Sequence, residues 1–200
     1  MQNNNLANAT LEPVKHQDHS QQVDRVKSLH EDALARCVKG DHHAQMQIYH
    51  MYYKAMFNTA HRIVLDQHEA EDVMQESFLT AFAQLPTLLD RSTFSAWLKR
   101  IVVNKSINAL KARKTYEEVI DIWEPANDEG EMDYAPYNIQ QVKEAIASLP
   151  DGYRSVLSLY LFEGYDHEEI GEIMGISSAT SRSQFNRGKN RIKEILIQSA

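Results

Sequence analysis

From Leu29 onward, apolar residues recur mostly at three- and four-residue steps, the signature of amphipathic helices. The stretch LHEDALARCVKGDHHAQMQIYHMYYKAMFNTAHRIV predicts two of them, with Gly40 as the stop and Asp41 as the next N-cap. Met46, Tyr49, Tyr53, Met56, Phe57 and Ala60 are expected to form one buried stripe. In LDQHEAEDVMQESFLTAFAQLP, Asp66 is placed to cap a third helix, with Glu69 answering it as in a capping box. Val73, Phe78, Leu79 and Phe82 form its expected apolar face, and Pro86 ends it. After the loop PTLLDRST, the helix FSAWLKRIVVNKSINALKARK pairs an apolar side (Trp97, Ile101, Ile107, Leu110) with a basic one.

The C-terminal part has the same character. Val142, Ile146 and Leu149 line one helix, which Pro150 ends; Tyr153, Val156, Leu157, Tyr160 and Leu161 line another, which ends near Gly164. Then comes DHEEIGEIMGISSATSRSQFNRGKNRIKEIL. Asp166 and Glu169 form a capping signature, Ile170, Ile173 and Met174 face inward, Gly175 supplies a left-handed stop, and Ser177 caps the next helix. Two helices joined by about three residues containing Gly have helix-turn-helix spacing. In the second, Ser181, Phe185, Gly188 and Ile192 fall on one side; Ser178, Ala179, Arg182, Ser183 and Asn186 fall on or near the outward side. Gly188 costs roughly 1 kcal/mol against Ala in a helix interior, which marks either a close packing contact or a tolerated loss.

No Val/Ile/Thr alternation bounded by turn signals suggests a strand. The expected fold is therefore all-α: two small helical domains, 29–114 and 138–196, joined by a flexible acidic linker at 115–137. A flexible polar tail, residues 1–28, precedes them. The linker carries eight acids and no Lys or Arg from Tyr116 through Gln141. No repeat at a fixed period relates the two domains.

Charge sharpens the picture. The chain is acidic, at −7, yet residues 92–115 hold six bases and no acid, and residues 173–193 hold five bases and no acid. The other ten bases share the rest of the chain with all 28 acids, a balance of −18. Two compact basic patches in an acidic protein attract phosphate locally while the remaining surface repels it. On the second patch, Arg182 suits a guanine or a phosphate, and Ser183 and Asn186 suit base edges or backbone; Arg187, Lys189 and Lys193 suit phosphate.

Other classes are disfavoured. The single cysteine, Cys37, rules out an internal disulfide framework and has no marked partner base. His16 and His19 have a ligand-like spacing in the polar tail, and His68 and Asp72 are four apart on a helix, but neither pair has the further ligands a metal needs. No cofactor, metal or catalytic residue is expected. The N-terminus lacks a basic start followed by an apolar run, and no apolar run approaches the ~20 residues of a membrane helix. A cytoplasmic location without membrane insertion is expected.

Several segments resemble a known family. DQHEAEDVMQESFLTAF is similar to the acidic segment of bacterial sigma factors of the sigma-70 type, and FSAWLKRIVVNKSINALKARK to the helix that follows it. LPDGYRSVLSLYLFEGYDHEEIGEIMGISSATSRSQFNRGKNRIKEIL resembles their last domain. With no room for a middle domain, the chain resembles the small extracytoplasmic-function (ECF) group.

The resemblance implies that Asp72, Gln75, Glu76 and Phe78 dock on the β′ clamp helices of core RNA polymerase, which also engages the factor through its β subunit. It implies that Trp97, Lys99, Arg100, Asn104, Lys105, Asn108 and Lys111 serve recognition and melting of the promoter −10 element. It implies that Ser178, Ala179, Thr180, Arg182, Ser183, Asn186 and Arg187 read the −35 element. The linker would run near the polymerase cleft and RNA exit channel, and an anti-sigma factor would be a further partner. Gly171, Ser181 and Gly188 depart from the family pattern, which usually has Ala, an apolar residue and Ala there. A dimeric helix-turn-helix repressor or activator is the alternative, but it leaves the first basic patch unexplained.

Overall fold

The computed structural model describes residues 29–114 and 138–198; the tail and linker expected at 1–28 and 115–137 lie outside them. Among the described residues every regular element is helical. These residues divide into two compact units, one ending at Ile48 and the other beginning at Tyr49.

The first unit contributes α1 (residues 29–38) and the start of α2 (His42–Val64). Ala33, Leu34, Cys37, Ala44 and Ile48 are buried there. Asp41 caps α2, accepting from the backbone N–H of His43 and Ala44 at 2.9 and 3.1 Å, while Arg36 Nε donates to its other oxygen at 2.8 Å. Burial pushes the Cys37 thiol up to about 11, so it stays protonated at neutral pH.

The second unit holds the rest of α2, then α3 (Gln67–Gln84), 3₁₀ turns at Leu85–Thr87 and Arg91–Thr93, and α4 (Phe94–Lys114). It continues with α5 (Ile139–Ala147), α6 (Asp151–Ser158), a π-helical turn at Leu159–Glu163, α7 (His167–Met174) and α8 (Ser178–Gln198). α3 packs along α4, and α6 and α7 pack along α8. The core of α4 is Phe94, Leu98, Val102 and Val103, all fully buried, with Ile107 and Leu110 continuing it. Trp97 and Ile101 sit half-buried at its edge.

Three sequence expectations change. In α2 the buried row is Ala44, Ile48, Met56, Ala60 and Ile63, and Met46 is exposed. Two apolar rows run side by side along this helix, and period alone does not choose between them. In α3, Val73 and Phe78 are buried as expected, but Leu79 is 71% exposed. After α6, the π turn inserts an extra residue into the helical register. Leu159 therefore takes the core position, and Tyr160 and Leu161 turn outward.

The end of α2 gathers two arginines. Leu65 leaves the helix with a left-handed φ of 59°. Arg113 Nη1 donates to the Val64 carbonyl at 3.1 Å, and Arg154 Nη2 to the Ile63 carbonyl at 3.2 Å. Cations on the unpaired carbonyls of a helix C-terminus offset its dipole. Leu98→Ala should cost about 2–5 kcal/mol in urea unfolding, the range for a Leu-sized core cavity, whereas Leu79→Ala should change stability by less than about 0.5 kcal/mol.

Candidate nucleic-acid interface

Burial of Phe94, Leu98 and Val102 sets the rotation of α4, and steps of three and four then place Trp97, Arg100, Asn104, Asn108 and Lys111 along one strip. Arg100, Asn104, Asn108 and Lys111 are exposed; Trp97 is half-buried, its ring 5.9 Å from that of Phe94. Lys105 lies beside the strip on the α3 side, whereas Lys99 lies round the helix from it, against Glu163. A guanidinium, an ammonium, two amides and an indole edge suit a phosphate backbone with unstacked bases.

The acidic face of α3 lies beside it. Asp72, Gln75 and Glu76 are exposed, and Leu79 extends the same surface. Glu76 accepts from Lys105 Nζ at 3.3 Å, so the two predicted surfaces meet along the α3–α4 seam. Phe78 differs from expectation. It is 2% exposed, with its ring 4.9 Å from that of Tyr49 and 5.9 Å from that of Phe82. It supports the acidic face from beneath rather than presenting a surface to a partner. Asp66 caps α3 through the Glu69 N–H at 2.8 Å, but Glu69 does not complete the expected box; its carboxylate pairs with Arg113 instead.

The helix-turn-helix forms as its punctuation dictates. Asp166 accepts from the N–H groups of Glu168 and Glu169, and Glu169 accepts from the Asp166 N–H, a complete capping box. Gly175 adopts φ 71°, and its N–H reaches the Gly171 carbonyl at 2.8 Å. Ser177 Oγ then accepts from the Thr180 N–H at 3.0 Å to start α8.

Along α8, Ala179, Thr180, Arg182, Ser183 and Asn186 are exposed, and Ser178 and Arg187 are half-buried. Arg182 Nη2 donates to Ser178 Oγ at 3.2 Å, which steadies the guanidinium over the helix start. The inner side explains two departures. Ser181 is fully buried, but its hydroxyl lies 2.9 Å from His167 Nδ1, and that ring stacks on Tyr160 at 4.8 Å. At Gly188, a Cβ would stand 2.7 Å from Leu157 Cδ1 and 3.3 Å from Tyr153 Cβ, so the glycine serves close packing.

One ionic cluster escaped the sequence reading. Glu163, at the end of the π turn, has a side chain only 2% exposed. It accepts from Thr59 Oγ1 at 3.1 Å, from Arg62 Nη2, and from Lys99 Nζ at 3.0 Å. Burial pushes its carboxyl up, but the hydrogen bonds and charges of Arg62 and Lys99 outweigh this and hold it below the usual carboxylate range. Because the folded value is depressed, the contact contributes fully above the ordinary carboxylate range and is lost only as pH falls through the lowered value. Nothing in the local sequence of Glu163 marks it, because its partners lie about 60 and 100 residues away.

Among the described residues there is no group of three His, Cys, Asp or Glu that could hold a metal, and no helix long and apolar enough to cross a membrane.

Comparison with known proteins adds two family matches: sigma-70 region 2 over residues 48–116 and sigma-70 region 4 over residues 139–192. The RNA polymerase sigma-H factor of Pseudomonas aeruginosa is 30% identical over 176 residues, spanning 82% of this chain and 91% of that protein. The ECF RNA polymerase sigma factor SigW of Bacillus subtilis is 29% identical over 173 residues, 79% and 91% of the two chains. Among solved structures, the sigma factor RpoE of Bartonella quintana, in complex with the anti-sigma factor NepR, is similar with a TM-score of 0.52. It is 22% identical and covers 76% of this chain and 95% of that one. CnrH, in complex with the cytosolic domain of CnrY, gives a TM-score of 0.51 at 19% identity, covering 86% and 99%.

The capping geometry yields a stability test. Asp166→Ala should cost about 1 kcal/mol in urea unfolding, while Asp166→Asn, an equally good cap, should cost only a few tenths of that.

Proposed function

The chain belongs to the sigma-70 family of RNA polymerase sigma factors, in the extracytoplasmic-function group, and from that membership we propose how its surfaces divide the work of promoter-specific initiation. The α3 face of Asp72, Gln75 and Glu76, extended by Leu79, docks on the β′ clamp helices of core RNA polymerase. An exposed acidic face suits a basic partner and contributes orientation and association rate more than affinity. The α4 strip of Trp97, Arg100, Asn104, Asn108 and Lys111, together with Lys105 beside it and Lys99 on the neighbouring side of the helix, engages the −10 element as it opens. α8 enters the major groove at the −35 element, with Arg182, Ser183 and Asn186 toward the bases and Ser178, Ala179, Thr180 and Arg187 along its start and flank.

The observation that carries this division is the pairing of an acidic α3 face with a basic, amide-bearing α4 strip, in one chain with an outward-facing recognition helix. A dimeric repressor needs only the last of these. The protein acts as an initiation factor with no covalent chemistry of its own, in the cytoplasm, where polymerase and promoter are found. An anti-sigma partner is part of the proposal, supported by the complexes in which RpoE and CnrH were solved.

The decisive experiment adds the purified chain to core RNA polymerase free of other sigma factors. Promoter-specific initiation is expected, with poor binding of promoter duplex by the free chain. No initiation, together with tight duplex binding by a free dimer, would overturn the proposal. Arg182→Ala tests the recognition helix: initiation should fall by about 1–3 kcal/mol on promoters differing at one −35 position and little on others. An equal loss on every promoter would make Arg182 a phosphate contact instead.

A further inference from the structure

Resting on the −35 reading of α8 above, we propose that His167 is a positioning residue for that readout: its ring, held between Tyr160 and Phe185, sets the rotation of the first turn of α8 through the buried hydroxyl of Ser181. Ser181 is fully buried one turn into α8, immediately before Arg182 and Ser183. Its hydroxyl lies 2.9 Å from Nδ1 of His167, the first residue of α7. A serine inside a helix can satisfy its hydroxyl locally, on the carbonyl four residues back. Ser77 and Ser106, equally buried, do so, donating to the Val73 and Val102 carbonyls at 2.6 and 2.8 Å. Ser181 reaches across to the preceding helix instead, so its hydroxyl ties α8 to α7.

The ring of His167 is itself fixed. It stacks on Tyr160 at 4.8 Å and 20°, and meets Phe185 edge-on at 5.6 Å and 72°. Tyr160 and Phe185 are in turn 4.7 Å apart. Tyr160 stands outside the core because of the π turn, so the extra residue that displaces it also supplies the platform for the imidazole. Four residues further along the same face of α7, Gly171 lets the turn close, since a Cβ there would stand 2.8 Å from the Ile176 carbonyl. Between them, Gly171 holds the turn and His167 holds the first turn of α8.

Magnitudes decide which contacts depend on this. Side chains reach about 5–6 Å from a helix axis, so a rotation of about 10° moves their ends by about 1 Å. Hydrogen bonds to base edges hold only over about 2.7–3.2 Å and are lost by such a shift. Coulombic attraction to phosphate changes little over the same distance. A misrotated first turn therefore loses base discrimination before it loses general attachment. Arg182 moves with that turn, because Ser178, at its start, holds the guanidinium at 3.2 Å.

The test uses the full chain reconstituted with core RNA polymerase and reads initiation on promoters that vary one −35 base pair at a time. His167→Phe keeps a ring between Tyr160 and Phe185 but cannot bond Ser181. Ser181→Ala removes the same bond from the other side, and decides the matter if His167→Phe does not fold. Each should reduce discrimination between the best promoter and its altered versions by about five- to tenfold, a coupling typical of residues in contact. The loss should come from the best promoter, with initiation on the altered ones near its wild-type level. The double variant should lose no more than either single one, because both remove one and the same bond. An equal loss on every promoter, no loss at all, or single losses that multiply in the double variant overturns the proposal and leaves the promoter reading in place. A wild-type chain that does not initiate overturns the promoter reading, and the proposal with it.

Discussion

The burial of one row of α4 is the constraint from which the functional surfaces follow. Phe94, Leu98, Val102 and Val103 have no exposed surface. Removing that much apolar area from water fixes the helix about its own axis far more firmly than any surface contact. With the rotation fixed, Arg100, Asn104, Asn108 and Lys111 have nowhere to go but outward. α3 packs along α4, so its acidic face is fixed beside them. The proximity of two surfaces of opposite charge is a consequence of packing, and Lys105 and Glu76 mark the seam.

Charge then organises what packing has oriented. Four of the six bases of the first patch answer acids or carbonyls within the chain: Lys99 to Glu163, Arg100 to Glu172, Lys105 to Glu76, and Arg113 to Glu69 and the Val64 carbonyl. The exposed pairs among these are weak and screened by salt. Only the Glu163 cluster is withdrawn from water. The α8 patch is different, since Arg182 is steadied by a neutral serine hydroxyl and its face remains open.

Local signals were read well where the physics is local. The capping box at Asp166, the left-handed Gly175 and the Ser177 cap involve residues within a few positions of each other, and each forms as the sequence indicates. The inward set Ser181, Phe185, Gly188 and Ile192 was legible for the same reason: period sorts a single helix. Legibility failed where two apolar rows competed, as in α2, where a π turn shifted the register beyond α6, and where a residue had a distant claimant. Glu69 is the clearest case. Its sequence position proposes a cap, but Arg113, 44 residues on, takes the carboxylate.

The sequence by itself determined the all-α class, the helix ends and the segregation of charge into two acid-free patches, because propensity, capping and net charge act over one or two helical turns. Tertiary structure alone decided that Phe78 lies beneath its face and Leu79 upon it, that Ser181 is satisfied by His167, and that Glu163 collects Thr59, Arg62 and Lys99. Those outcomes depend on which helices meet, and burial against a neighbour outweighs the weak local preference that a sequence window records.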